Sequence, residues 1–366
     1  MMNVKTAIVG LSQSGKTTVF DALTKSKAAL DTHSASLRPN VGVAKVPDSR
    51  LSTLEGIFYP KKTVLAEVSY VDIGGSPRGV GSKGQVGGEL LSHLSTADAL
   101  LQVVRVFEDD RVPHPDGSID PRRDIATLDL ELAFSDLAII DRRLEKLNVA
   151  LKGARPAERE AHLKEQALLQ KVKSALEADV PVRQQELTRD DVKGLSQYQF
   201  LSAKPMLVVL NIGEGQLTQA SRLEDEVGTA YPQFAVIAQC GKLELELEQL
   251  DDSEAEEFRA AMGLSTPAAG RVIDLSYHFL GLISFFTTAS HELRAWTVPL
   301  GTTASRAAGK VHSDMERGFI RAEVIGYSDM ERCGSLNEAR KRGLLRMEGK
   351  DYLVQDGDIV TFLFNV

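Results

Sequence analysis

Two hydrophobic periods alternate along most of this chain. Runs of β-branched and aliphatic residues at 4–9, 41–46, 65–71, 99–106, 206–210 and 235–238 have the length of strands. Between most of them lie longer stretches with apolar residues at three- and four-residue steps. The alternation predicts an α/β fold, a mostly parallel sheet with covering helices. Ligands of such sheets bind at the carboxyl ends of the strands.

The alternation stops over residues 124–200. Leu130, Ala133, Leu137, Ile140, Leu144, Leu147 and Leu151 form a heptad seam. Lys152-Gly153-Ala154-Arg155-Pro156 interrupts it, and Leu169, Val172 and Leu176 then share a second helical face. This predicts an antiparallel, coiled-coil-like helical hairpin inserted in the sheet domain. Its charges, among them Arg142, Arg143, Lys146, Glu158 and Lys164, read as solvated faces. The sheet pattern resumes at Met206 and ends near Gly263. Residues 270–286 read as a connecting helix. Short strands at 293–298, 319–325 and 358–364, with a small helix at 303–308, then predict a compact α+β domain. The expected division is 1–123 and 201–281 for the sheet domain, 124–200 for the hairpin and 282–366 for the last domain.

Composition changes this picture little. Of 366 residues, 43% are apolar and 26% charged, which suffices to bury cores in two or three domains. The net charge of −8 argues against a general nucleic-acid binder, DNA included, and leaves local basic faces open. Cys240 and Cys333 lack metal-site spacing and give no disulfide framework. Met1-Met2-Asn3-Val4-Lys5 is not a signal peptide, and the apolar runs at 206–210 and 282–286 are too short to span a bilayer. A cytoplasmic protein without membrane contact is expected.

The chemistry begins at Gly10-Leu11-Ser12-Gln13-Ser14-Gly15-Lys16-Thr17, a complete G-x-x-x-x-G-K-[ST] loop between a strand and a helix pattern. Gly10 and Gly15 let backbone N–H groups approach phosphate oxygens. Lys16 supplies a cation to the β- and γ-phosphates, and the Thr17 hydroxyl suits Mg²⁺. Ser12, Gln13, Ser14 and Thr18 complete the expected phosphate contacts. Asp72-Ile73-Gly74-Gly75 has the D-x-x-G form: Asp72 suits the metal through water, and Gly75 a γ-phosphate. Seven glycines fall in residues 74–88, as in a switch segment ordered by the γ-phosphate. Asn211-Ile212-Gly213-Glu214 ends the strand that should read the base. Guanine-specific proteins usually carry N-K-x-D here. Glu214 is one methylene longer, and Ile212 replaces the Lys. These changes weaken a guanine reading without proving adenine.

With these motifs the chain resembles the YchF/Obg-like ATPases, in the Obg branch of the phosphate-loop GTPase class. The likeness covers essentially the full chain. It is carried by Pro39-Asn40-Val41-Gly42-Val43, Phe107-Glu108-Asp109-Asp110, Asp120-Pro121-Arg122-Arg123-Asp124 and Asn211-x-x-Glu214. It is strongest in Arg294-Ala295-Trp296-Thr297, Gly301-Thr302-Thr303-Ala304, Gly318 through Val324 and Gly349 through Val366, which resemble a TGS domain of β-grasp fold. The resemblance implies a nucleotide-binding domain, an inserted hairpin and a TGS domain. It further implies ATP preferred to GTP, slow hydrolysis, Mg²⁺ and association with ribosomes or ribosomal RNA. By motif position it places Ser36 at the switch Thr that contacts the metal, and Cys240-Gly241 in the last base-contacting loop. Three residues depart from the family loop: Ser12, Gln13 and Ser14 replace Pro, Asn and Val. The lost Asn, linked in related enzymes to monovalent-cation binding, puts stimulation by K⁺ in doubt. Ser76 stands where relatives have an apolar residue. A His in the 107–120 stretch has been proposed as catalytic for relatives, which makes His114 a candidate to orient water. The other reading is a mobile surface histidine, and Gln85 is a further candidate.

From Glu292 onward, 11 basic and 11 acidic residues cancel. Arg306, Lys310, Arg317 and Arg321, or Arg340, Lys341, Arg342 and Arg346, suit RNA phosphates or form an ordinary charged surface. Three functions remain open: a regulatory ATPase on the ribosome, a nucleotide-holding adaptor with little hydrolysis, and a GTPase.

Overall fold

The computed structural model describes residues 4–25, 39–73, 85–264, 267–289 and 291–365, without the side chains of 85–90 and of Asp252. Ser36, Gly75, Ser76 and the Gln85 side chain lie outside the described residues. In chain order the elements start with β1 (Lys5–Val9), α1 (Lys16–Thr24), β2 (Asn40–Lys45), α2 (Arg50–Phe58), β3 (Lys62–Val64), β4 (Glu67–Asp72), α3 (Gln85–Thr96) and β5 (Ala99–Arg105). The helices α4 (Pro121–Ala150), α5 (Pro156–Leu176) and α6 (Arg189–Leu195) follow. Then come β6 (Met206–Asn211), α7 (Ala220–Ala230), β7 (Ala235–Gln239), α8 (Gly241–Leu247), α9 (Asp252–Ala261) and α10 (Ala268–Phe279). The chain closes with β8 (Leu282–Ala289), β9 (Glu292–Pro299), α11 (Ala304–Val311), α12 (Ser313–Arg317), β10 (Phe319–Gly326), α13 (Tyr327–Cys333), α14 (Leu336–Lys341), β11 (Arg346–Glu348) and β12 (Asp358–Phe364).

The chain divides into two compact units. The larger comprises Val4–Gly42 and Tyr70–Ala269. Within it β1, β5, β6 and β7 lie side by side in that order and run parallel. All seven residues of β5 are buried. Five of the seven are apolar, as a central parallel strand covered on both faces requires, and Gln102 and Arg105 are buried among them. Leu100, Val104, Val208 and Leu210 pack with Leu94, Leu128 and Leu243 in one core.

The predicted hairpin is α4 and α5. Asp120 caps α4 by accepting from the N–H groups of Arg122 and Arg123, and Pro121 occupies the first turn. Cross-helix pairs Arg143–Glu165, Asn148–Gln166 and Lys173–Asp141 have nearly constant position sums, so the helices run antiparallel. Ala133, Ile140, Leu147, Leu169 and Val172 form their core with Phe200. Leu130, read as the first seam residue, is instead 43% exposed. The seam starts one step later, at Ala133.

Among the described residues the smaller unit comprises 43–69 and 270–365. Its sheet has the order β11-β10-β12-β8-β9-β3. Residues 43–69, read from sequence with the first domain, thus cluster with the C-terminal part. The physical tie is β3, which pairs in parallel with β9 from Lys62↔Glu292 to Val64↔Arg294. Arg50 reinforces it with ion pairs to Asp48 at 2.8 Å and Asp356 at 2.7 Å. The connecting helix is also shorter than expected: α10 ends at Phe279, Gly281 turns with φ 62°, and Leu282 already begins β8.

Candidate nucleotide-binding site

The phosphate loop leaves β1 and enters α1 as its motif requires. Gly10 has φ 152°, and a Cβ there would lie 2.3 Å from the Val103 carbonyl oxygen. Gly15 has φ 87°, and its Cβ would lie 2.2 Å from Asn211 Nδ2. Both positions therefore demand glycine for close approach as well as for backbone freedom. Gln13 adopts φ 62°, a costly conformation for a residue with a side chain. Ser12 and Gln13 are exposed, and Ser14 is buried. Helix α1 has no side-chain cap and no acidic residue in its first turn. Its first N–H groups lack the usual carboxylate competitor and suit an anion.

Lys16 Nζ donates to the carbonyls of Gly10 at 3.1 Å and Leu11 at 3.0 Å, spanning the loop. Burial lowers its pKa, and Asp72 opposes that shift. Thr17 Oγ1 donates to Asp72 Oδ2 at 2.8 Å. The other oxygen, Asp72 Oδ1, is buried without a hydrogen-bond partner. Burial raises the Asp72 pKa, and Thr17 and Lys16 pull it back. An orphaned carboxylate oxygen beside a hydroxyl is an oxygen donor set that fits a hard divalent cation such as Mg²⁺. The two residues paired from sequence are thus brought together across 55 positions.

Asn211 joins the phosphate loop to the base side. Its Nδ2 donates to the Ser14 carbonyl at 3.0 Å, and its Oδ1 accepts from Gly241 N–H at 3.2 Å. Beyond it a cavity of about 390 Å³ is lined by Gly15, Thr18, Asn211, Ile212, Glu214 and Cys240 from the expected set. Gly241 is not among the lining residues and meets the site only through its N–H to Asn211. Burial raises the Cys240 thiol pKa, which keeps it an inert wall.

The cavity also exposes residues that sequence reasoning missed. Phe107, Glu108, Asp109, Arg111 and Lys242 line it. The Arg105 guanidinium lies 4.5 Å from the Phe107 ring centroid and donates to the Phe107 carbonyl at 3.1 Å, fixing that ring. Lys242 Nζ pairs with Glu214 Oε1 at 2.8 Å. Phe107-Glu108-Asp109 stood out in the sequence as a signature without a role. Lys242 directly follows Cys240-Gly241. Both signals were present, but their convergence on one cavity is tertiary.

His114 is not a mobile surface residue: its side chain is 5% exposed. Its Nε2 lies 2.9 Å from Asp124 Oδ2, and its Nδ1 accepts from Asp116 N–H at 3.1 Å. Both ring nitrogens are thus engaged by protein groups. Arg123 neutralises the same cluster, at 2.9 Å from Asp124 and 3.9 Å from Asp116. These contacts tie the loop after Phe107 to the start of α4.

Comparison with known proteins agrees with this architecture. A family model described as 50S ribosome-binding GTPase matches residues 5–133, and the YchF-GTPase C-terminal model, a protein of unknown function by its description, matches 282–365. The chain is 38% identical to the ribosome-binding ATPase YchF of Bacillus subtilis over 371 residues, covering both chains fully. It is 36% identical to that of Escherichia coli O157:H7 over 368 residues, again with full coverage. The solved YchF GTPase of Schizosaccharomyces pombe superposes with a TM-score of 0.85 at 30% identity, covering 99% of this chain and 98% of that one. Full-length similarity at this level, in sequence and in fold, places the chain in the YchF family.

Proposed function

We propose that this protein is a Mg²⁺-dependent ATP-binding protein that hydrolyses ATP slowly and associates with ribosomes through its nucleotide state. The observation that carries the reading is the phosphate loop with Thr17 and Asp72 held 2.8 Å apart beside Lys16. The names of the full-length relatives, ribosome-binding ATPases, support the activity and the partner. A cytoplasmic site of action fits that partner, and among the described residues no helix is long and apolar enough to cross a membrane.

Phosphoryl transfer depends mainly on positioning and on charge neutralisation. Lys16 and the first N–H groups of α1 bind and orient the β- and γ-phosphates. Thr17 and Asp72 would hold Mg²⁺, which when bound offsets the phosphate charge. Asn211 fixes the spacing of phosphate loop and base cavity. Phe107 and Ile212 give the base apolar surfaces. Glu214 is one methylene longer than the usual Asp, which alters the bidentate fit to the guanine N–H groups, and it lies 2.8 Å from Lys242. That arrangement supports ATP over GTP. K⁺ is not part of this reading, because no residue of the loop argues for it.

His114 has no free ring nitrogen, which favours a slow intrinsic rate and keeps the adaptor reading as a second possibility. Titration calorimetry with ATP and GTP in Mg²⁺ tests the first claim: ATP should bind about tenfold or more tightly, and tighter GTP binding overturns it. Single-turnover hydrolysis with and without ribosomes separates ATPase from adaptor.

A further inference from the structure

We propose that the tip of the α4–α5 hairpin is a docking surface for the phosphate backbone of ribosomal RNA. The proposal rests on the ribosome-association reading and names its contact. Residues 142–164 carry seven Lys or Arg and three Glu, a net charge of +4 in a chain of −8. Arg142, Lys146, Lys152, Arg155 and Arg159 are all exposed. Among the described residues none of these five has an ion-pair partner; the neighbouring Arg143 pairs with Glu165 at 2.7 Å and, further from the tip, Lys173 with Asp141 at 2.7 Å. At the end of the hairpin one close pair, Lys164–Glu160 at 2.8 Å, stands beside these five unneutralised cations.

The tip charges also oppose the helix physics around them. Arg142 and Lys146 are like charges at i,i+4, as are Arg155 and Arg159, and such pairs destabilise a helix. Arg155 and Arg159 further place cations at the positive end of α5, where carboxylates are favoured. Glu158 in the first turn of α5 and the Glu160–Lys164 pair at 2.8 Å offset only part of this. An external polyanion removes both penalties at once. Val149 and Leu163, 70% and 46% exposed, add apolar surface at the same end. Charge complementarity selects RNA phosphate, the dominant anion of a ribosome, as the occupant. The carboxylates that remain, Glu145, Glu158 and Glu160, are too few to cancel the field.

The test uses the full chain with Lys146, Lys152, Arg155 and Arg159 changed to Gln, and a second variant in which Lys and Arg are exchanged at the same four positions. Binding to purified ribosomes and to naked ribosomal RNA is measured across a salt series, with ATP affinity and thermal melting as controls. The Gln variant should bind both probes at least tenfold more weakly, with a salt slope shallower by about two to four units. The exchanged variant should retain wild-type binding, and ATP affinity should stay within twofold in both. Equal affinity and slope for a folded Gln variant overturn the tip assignment and leave ribosome association intact. Weakened ribosome binding with unchanged RNA binding also overturns it, because the tip then contacts protein. Absence of binding by the wild-type chain to either probe at low salt overturns both readings.

Discussion

Gly15 couples two functions in one backbone position, which makes it the sharpest residue to perturb. A Cβ there meets Asn211 Nδ2, the group that ties the loop to the base cavity. Gly15→Ala should therefore lower ATP affinity at least tenfold, about 1.4 kcal/mol, by calorimetry. Unchanged affinity would show that Asn211 moves freely. Asp72→Asn should remove most of the Mg²⁺ dependence of nucleotide binding while leaving the weak Mg²⁺-free affinity in place. A titration at several Mg²⁺ concentrations reads this directly. Asp21 adds a pH dependence. Burial and the nearby Asp72 push its pKa up to about 6. The folded state then binds more protons than the unfolded one between about pH 4 and pH 6, so this group's contribution falls as pH rises through that window. Asp21→Asn should stabilise the nucleotide-free protein by roughly 1 kcal/mol at pH 8, after allowing for screening, and hardly at all at pH 4. Urea melts giving the same difference at both pH values would refute the assignment. The phosphate loop was legible in sequence because its chemistry is local. Glu214–Lys242 and His114–Asp124 were not, because their partners meet only through the fold.

Elements carry the next level of specificity. Asp136 on α4 is fully buried and accepts from the N–H groups of Leu201 and Ser202, each at 2.8 Å. It anchors the returning chain to the hairpin base. Asp136→Ala leaves two buried donors unpaired and should cost about 2–4 kcal/mol. Asn, which keeps one acceptor, should cost less, and denaturant melts of both variants check the order. The main strands were readable because helix-covered strands are mostly apolar, as in β5, where Gln102 and Arg105 are the polar residues. β3 escaped because three residues, Lys62-Thr63-Val64, make no period. β8 was absorbed into a helix because apolar residues continue without a gap from α10. The break is the left-handed turn at Gly281, which a hydrophobic pattern does not register.

For the whole molecule, nucleotide binding is linked to stability. At a hundredfold excess over Kd, ATP with Mg²⁺ should stabilise the native state by about 2.7 kcal/mol. The melting temperature should rise by several degrees for wild type and stay put for Lys16→Ala, whose fold at residues away from the loop is untouched. A similar rise in both would mean that ATP acts elsewhere. The pairing of β3 with β9 has another consequence, one of timing. Lys62 meets Glu292, about 230 residues later in the chain. At ~5–20 residues per second of synthesis, β3 waits roughly 10–50 s for its neighbour to be made. The residues of the larger unit, up to Ala269, are all translated before β9 exists. Birth order therefore lets the nucleotide-binding half assemble first, while a segment made near the start stays unpaired until the end. A nascent-chain arrest series should show ATP protection before residue 292 is added and β3 protection only after it.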